Sequence, residues 1–164
     1  MEMNEMYLRT AFCCMACDGS IANEEVAILK QYISANSTNF QGLDVESTLN
    51  SYVENINSQG ISFLKTYLND VAEKNLSDDE QLNLLSLAIS IIEADSNIEY
   101  SEIAFFKKIR LRLSVSDDQI LSRMPGKEDY LLPDIIDDNP FEWLPVSFGN
   151  ITISEIALQT MSKR

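Results

Sequence analysis

Three cysteines fall within five residues, Cys13, Cys14 and Cys17, and the chain then runs through Asp18-Gly19-Ser20-Ile21 to Glu25. Three chemistries compete for such a stretch. Thiolates attack electrophiles or ligate soft metals, carboxylates ligate hard cations, and cysteine also packs helix cores as a small apolar residue. Zinc normally takes four Cys or His ligands, whereas the chain holds three Cys and no His. Cys13 and Cys17 share a helix face, as do Cys14 and Cys17, so a thiol cluster is geometrically allowed. The acids follow a different pattern. D-G-x-I-x-x-x-E reproduces the second half of an EF-hand loop: an acid, the sharp-turn glycine, an apolar residue and, seven residues after the acid, a glutamate.

The unit recurs. A shift of 77 residues lays Asp18, Ile21 and Glu25 on Asp95, Ile98 and Glu102, and Leu8, Ala11 and Met15 on Leu85, Ala88 and Ile92. Helix, D-x-x-I-x-x-x-E turn, helix therefore occurs twice, which predicts a pseudo-symmetric pair of helical hairpins. The second copy has Ser90, Ile91 and Ala94 where the first has Cys13, Cys14 and Cys17. Two of the three thiol positions tolerate apolar residues, as core packing requires. The first half of a calcium loop would need ligands at Cys14 and Ala16, and at Ile91 and Glu93. Only Glu93 carries one, so neither copy is a standard calcium loop. Two readings of the turns stay open. Their acids converge on a divalent cation, or they are architecture: Asp18 and Asp95 accept turn N–H groups, Ile21 and Ile98 plug the core, and Glu25 and Glu102 favour the positive end of the following helix.

Helical periodicity covers most of the first 124 residues and supplies the elements that must position these groups. Helices are expected over Asn4–Ala16 and Asn23–Ala35. Asp44 caps a third, with Val45, Leu49, Tyr52, Val53 and Ile56 on one face; Gly60 interrupts; a fourth carries Ile61, Leu64, Leu68 and Val71. Ser77-Asp78-Asp79-Glu80 is a capping box that opens a fifth helix to about Ala94, apolar nearly all round and so expected at the buried centre. A sixth covers Ser101–Leu113, and the box Ser116–Gln119 starts a short seventh that ends before Pro125. Residues 125–164 hold all four prolines of the chain, in PGKEDYLLPDIIDDNPFEWLP, and read as an irregular extension that docks apolar residues, with Trp143 the expected anchor and residues 151–162 a short helix or the start of a strand.

The composition is globular, with 45% hydrophobic residues, and 12 Lys and Arg stand against 26 Asp and Glu, a net charge of −14. That sign disfavours nucleic acid and anionic membrane surfaces and favours cations or basic faces on proteins. No apolar run is long enough to span a bilayer, no basic-then-apolar leader opens the sequence, and the cysteines form no disulfide framework, so a cytoplasmic location is expected.

A-C-D-G-S-I-A-N-E-E within a helical hairpin, repeated as E-A-D-S-N-I-E-Y-S-E before I-A-F-F-K-K-I, resembles the TerB-like domain of tellurite-resistance proteins and related co-chaperone-associated domains. The resemblance covers roughly residues 5–122. It implies an all-α bundle of about seven helices in residues 1–124, followed by the extension 125–164, and a role in stress or defence complexes without catalysis. It also implies a site for Ca²⁺ or another divalent cation, with Asp18, Glu25, Asp95 and Glu102 as candidate ligands, Ser20 and Asn97 adding oxygens and Glu99 close by. Ser96 stands where the pattern prefers Gly, and Ala22 where a capping Ser or Thr is usual. The expected function is a non-enzymatic acidic interaction module that recruits protein partners with a basic face, with homodimerisation through the extension as a further expectation. The alternative is a stand-alone cation buffer or sensor. No cofactor and no catalytic residue is assigned, since no nucleophile elbow or Gly-rich phosphate loop occurs.

Overall fold

The computed structural model describes residues 3–17, 19–94, 100–131 and 151. These residues form seven α-helices, α1 (Met3–Ala16), α2 (Asn23–Ala35), α3 (Val45–Gln59), α4 (Ile61–Glu73), α5 (Asp78–Ile92), α6 (Tyr100–Leu111) and α7 (Asp117–Arg123), and a 3₁₀ turn, Glu128–Leu131. Among the described residues there is no strand, and the fold is all-α. No helix among them is long and apolar enough to cross a membrane.

Caps fix the helix starts. The Asp44 carboxylate accepts the Ser47 N–H at 3.0 Å, and the Ser77 and Ser116 hydroxyls accept the N–H of Glu80 and Gln119, each at 3.1 Å. Glu80 and Gln119 reach back to the Ser77 and Ser116 N–H groups at 2.9 and 2.8 Å, which completes both boxes. Gly60 separates α3 from α4 because its φ of 61° is open to glycine, and its N–H closes α3 on the Ile56 carbonyl at 2.7 Å. The fifth and sixth helices end about two residues earlier than their apolar periodicity suggests. Their last turns tighten to three-residue spacing, with Ala94 N–H on Ile91 O and Leu113 N–H on Arg110 O.

The duplication is visible in the packing. The shift of 77 carries the first residue of α2, Asn23, onto the first residue of α6, Tyr100. Helices α1 and α5 pack most extensively on each other, and each hairpin's second helix crosses to the other's first, α2 on α5 and α6 on α1. A clamp is duplicated as well. Asn4 donates its carboxamide to the Asn39 carbonyl at 2.9 Å, tying α1 to the loop after α2. Its repeat equivalent, Gln81, ties α5 to the loop after α6 by accepting the N–H groups of Ser114 and Val115 at 2.8 and 3.1 Å. Helix α5 is buried on nearly every side, as its sequence predicts, and α1 is its equal: ten of its fourteen residues are buried.

The α3–α4 pair, inserted between the two hairpins, lies against α1, and α4 also touches α6. Phe12 meets Phe63 edge-on at 5.8 Å between ring centroids and Tyr52 at 5.4 Å. The extension begins with the 3₁₀ turn rather than with extended chain, since Tyr130 packs edge-on against Phe106 at 5.2 Å. It returns at Ile151, which is 1% exposed and exchanges two 3.0 Å bonds with the Asn57 carboxamide on α3. Tyr130 and Ile151 thus join the core that residues 1–124 build. Trp143 and residues 152–162 lie outside the described residues.

Candidate functional site

The start of the first turn and the start of α6 lie beside each other at the end of α1. Gly19 makes the first turn with a φ of 92°, and its N–H bonds the Ala16 carbonyl at 2.9 Å, a backbone state that glycine reaches without a Cβ clash. Glu25, three residues into α2, lends its Oε1 to the Ala22 N–H at 2.7 Å. This is half of the capping box that Glu80 completes with Ser77; Ala22 has no hydroxyl to return the bond. From the second copy, Ser101 of α6 offers its carbonyl to the Cys17 thiol at 3.9 Å, and Cys17 also donates to the Cys14 carbonyl at 3.4 Å. The end of α1 and the start of α6 are therefore neighbours across the pseudo-twofold.

Glu25 and Glu102, equivalent under the repeat, are 5% and 4% exposed. Burial pushes the Cys14 thiol well above its ordinary value, and the neighbouring Cys13 and the charges of Glu102 and Glu25 push it further. Both turn glutamates thus lie within Coulombic reach of one thiol. Buried carboxylates need compensation. Lys108 of α6 is buried too, and none of Glu25, Glu102 and Lys108 is without a partner.

Of the sequence-derived candidates, Glu25 and Glu102 are brought to the same region, while Ser20 is exposed on the first turn. Asp18, Asp95, Asn97 and Glu99 lie outside the described residues. Among the described residues no group of three or more His, Cys, Asp or Glu side chains is placed to hold a metal ion. Glu93, the one potential ligand in the first half of either loop, is committed elsewhere: both its oxygens accept from Lys127 Nζ at 2.8 Å, and Tyr130 OH donates to Oε2 at 3.0 Å. The described donors fit helix architecture better than a cation cage.

The cysteines are all buried and free of disulfides. Burial raises the Cys13 thiol, with the Arg9 charge only partly opposing it. A thiolate is therefore disfavoured in the folded chain, which removes the nucleophile that thiol chemistry requires.

No known protein family, curated protein or solved structure matches this chain.

Three structural polar residues escaped the sequence. Thr10 is fully buried, donates to the Met6 carbonyl at 2.8 Å and meets Tyr67 OH at 2.6 Å. Gln81 and Asn57 are the others. The capping boxes were legible because their partners sit three residues apart, whereas Gln81 bonds residues 33 and 34 positions away and Asn57 one 94 away.

Proposed function

We propose that the chain is a non-enzymatic interaction module of the TerB-like, stress-response type, engaging protein partners through basic surfaces on them. The observation that carries this reading is the chain's charge of −14 together with exposed acids that gather where two helix starts meet. Gln119 Nε2 donates to Asp78 Oδ2 at 3.0 Å and so holds the starts of α5 and α7 together. Asp78, Asp79, Asp117 and Asp118 are all exposed there, and two arginines answer them, Arg123 to Asp79 at 3.1 Å and Arg110 to Asp117 at 2.9 Å. Exposed pairs of this kind are weak, so the surface keeps a net negative field that steers cationic partners. The test is binding of a lysine-rich peptide by fluorescence anisotropy across a salt series. Affinity should fall steeply with salt and drop on Asp78→Asn/Asp118→Asn substitution; salt-independent or absent binding would reject the reading.

A second reading, a divalent-cation binder, draws on the buried, repeat-equivalent carboxylates Glu25 and Glu102, both of which raise the Cys14 thiol. Titration calorimetry of the EDTA-stripped chain with Ca²⁺, Mg²⁺, Mn²⁺ and Zn²⁺ tests it against the Asp18→Asn/Asp95→Asn variant. Saturable heat lost in the variant would favour it, and heat of dilution alone would leave the turns as hairpin architecture.

A further inference from the structure

The pseudo-twofold makes two equivalent grooves, and the described residues cover one of them. Helix α4 fills the first: Asp70 pairs with Arg9 at 2.9 Å, and Tyr67 OH meets Thr10 while its ring lies 6.1 Å from that of Phe105. Shifted by 77, or back by the same amount, Arg9, Thr10 and Phe105 fall on Ser86, Leu87 and Ile28. Those three residues line an open groove of about 560 Å³ between α1, α2 and α5. Two further equivalences hold. Cys13 and Lys108, buried on the covered side, fall on Ser90 and Gln31, which line the open groove and are exposed.

We infer that this open groove is the docking site for an amphipathic helix of a partner protein, seated as the pseudo-symmetric image of α4. The inference deepens the interaction-module reading and rests on it. The lining combines two tyrosines, Tyr7 and Tyr32, with carboxamides and hydroxyls, and among the described residues no lining side chain is charged. Tyrosine is enriched at interface cores, and an amphipathic helix docks by laying its apolar face on such a groove. The tyrosine rings stand 6.2 Å apart at 53°, and Tyr32 is braced edge-on by Phe40 at 6.0 Å. Burial raises both hydroxyls, Tyr32 to about 12, so each remains a proton donor at neutral pH.

Charge complementarity selects the partner's ends. Exposed Glu24 stands one turn before Ile28 on α2, and Glu80 stands one turn before Asn83 and two before Leu87 on α5. Tyr7 feels Glu80 and contacts Tyr32 near the end of α2, so the two helices run in opposite senses and the acids mark opposite ends of the groove. The fitting helix carries aromatic or aliphatic residues one helical turn apart, as Leu64, Tyr67 and Val71 are on α4, with a basic residue at each end.

The probe is a fluorescein-labelled peptide of residues 61–73 bearing Ser62→Lys, Asp70→Asn and Glu73→Lys, beside an unstructured lysine-rich peptide of equal charge. The full chain should bind the helical probe saturably, and Ser90→Trp, which fills the groove from an exposed position, should weaken it at least about tenfold. Thermal melting checks that the variant is folded, and Gln31→Trp repeats the block from α2. Binding of the probe unaffected by both substitutions overturns the groove while leaving the interaction module standing. Failure of both peptides to bind overturns the groove and the module together.

Discussion

The two halves of the repeat are built alike and finished differently. On one side α4 seals the junction of α1 and α6 with Phe63, Tyr67 and Val71, and the polar groups underneath, Arg9 and Thr10, are each matched by a side chain of α4. On the other side the same backbone framework ends in Ser86, Leu87 and Ser90 beside two tyrosines, with no helix of the described chain laid over them. The residue types follow the cover. A lysine and a cysteine are buried on the covered side, and exposed Gln31 and Ser90 replace them on the open one. Composition alone does not reveal this; the equivalence of positions does.

The largest effects should come from breaking the covered half. Tyr67→Ala removes a fully buried ring and its hydrogen bond to Thr10, for a loss of about 3–5 kcal/mol in urea unfolding. The matching change in the open half, Tyr32→Ala, should cost less than half as much, because that ring is only partly buried. Equal losses would mean that the halves are not differently finished. Next come the duplicated clamps. Gln81→Ala leaves the buried N–H of Val115 without its acceptor and should cost about 1–3 kcal/mol, whereas Asn4→Ala, whose bond is exposed, should cost under about 1 kcal/mol. A smaller gain is expected where the first turn lacks what Ser77 supplies: Ala22→Ser should complete the box with Glu25 and stabilise by about 0.5–1 kcal/mol in the same assay.

Protons sharpen the same contrast at the centre. Cys14 and Tyr67 have folded-state values raised above their ordinary 9.0 and 10.0. Below the ordinary values both states hold these protons and stability is unaffected. Above them the unfolded chain releases protons that the folded one keeps, so stability falls as pH rises beyond about 9. Tyr67→Phe should flatten part of that decline. In the native state at pH 8, Ellman's reagent should find none of the three thiols; rapid reaction of Cys13 or Cys14 would contradict the buried arrangement.

Much of the architecture could be read from local spacing. Capping residues three apart, Gly60 between two apolar stripes and the apolar run of α5 announce seven helices, and the repeat announces the paired hairpins. The site was legible only in part. Glu25 and Glu102 could be picked out by their place in the turns, but that both fall within Coulombic reach of Cys14 depends on how the hairpins pack, a long-range outcome. The fate of Glu93 was hidden because Lys127 and Tyr130 lie 34 and 37 residues away. The open groove was invisible for another reason: it is defined by which of two equivalent faces α4 covers, and no residue in α4 states that choice.

The most direct measurement is a backbone ¹H–¹⁵N correlation spectrum of the chain titrated with the helical probe peptide. The account predicts shifts concentrated at Ile28, Gln31, Asn36, Ser86 and Ser90, with the equivalent positions under α4, Arg9, Cys13 and Phe105, unmoved. Shifts confined to Ser77–Glu80 and Ser116–Gln119, or spread evenly over the acidic surface, would contradict it.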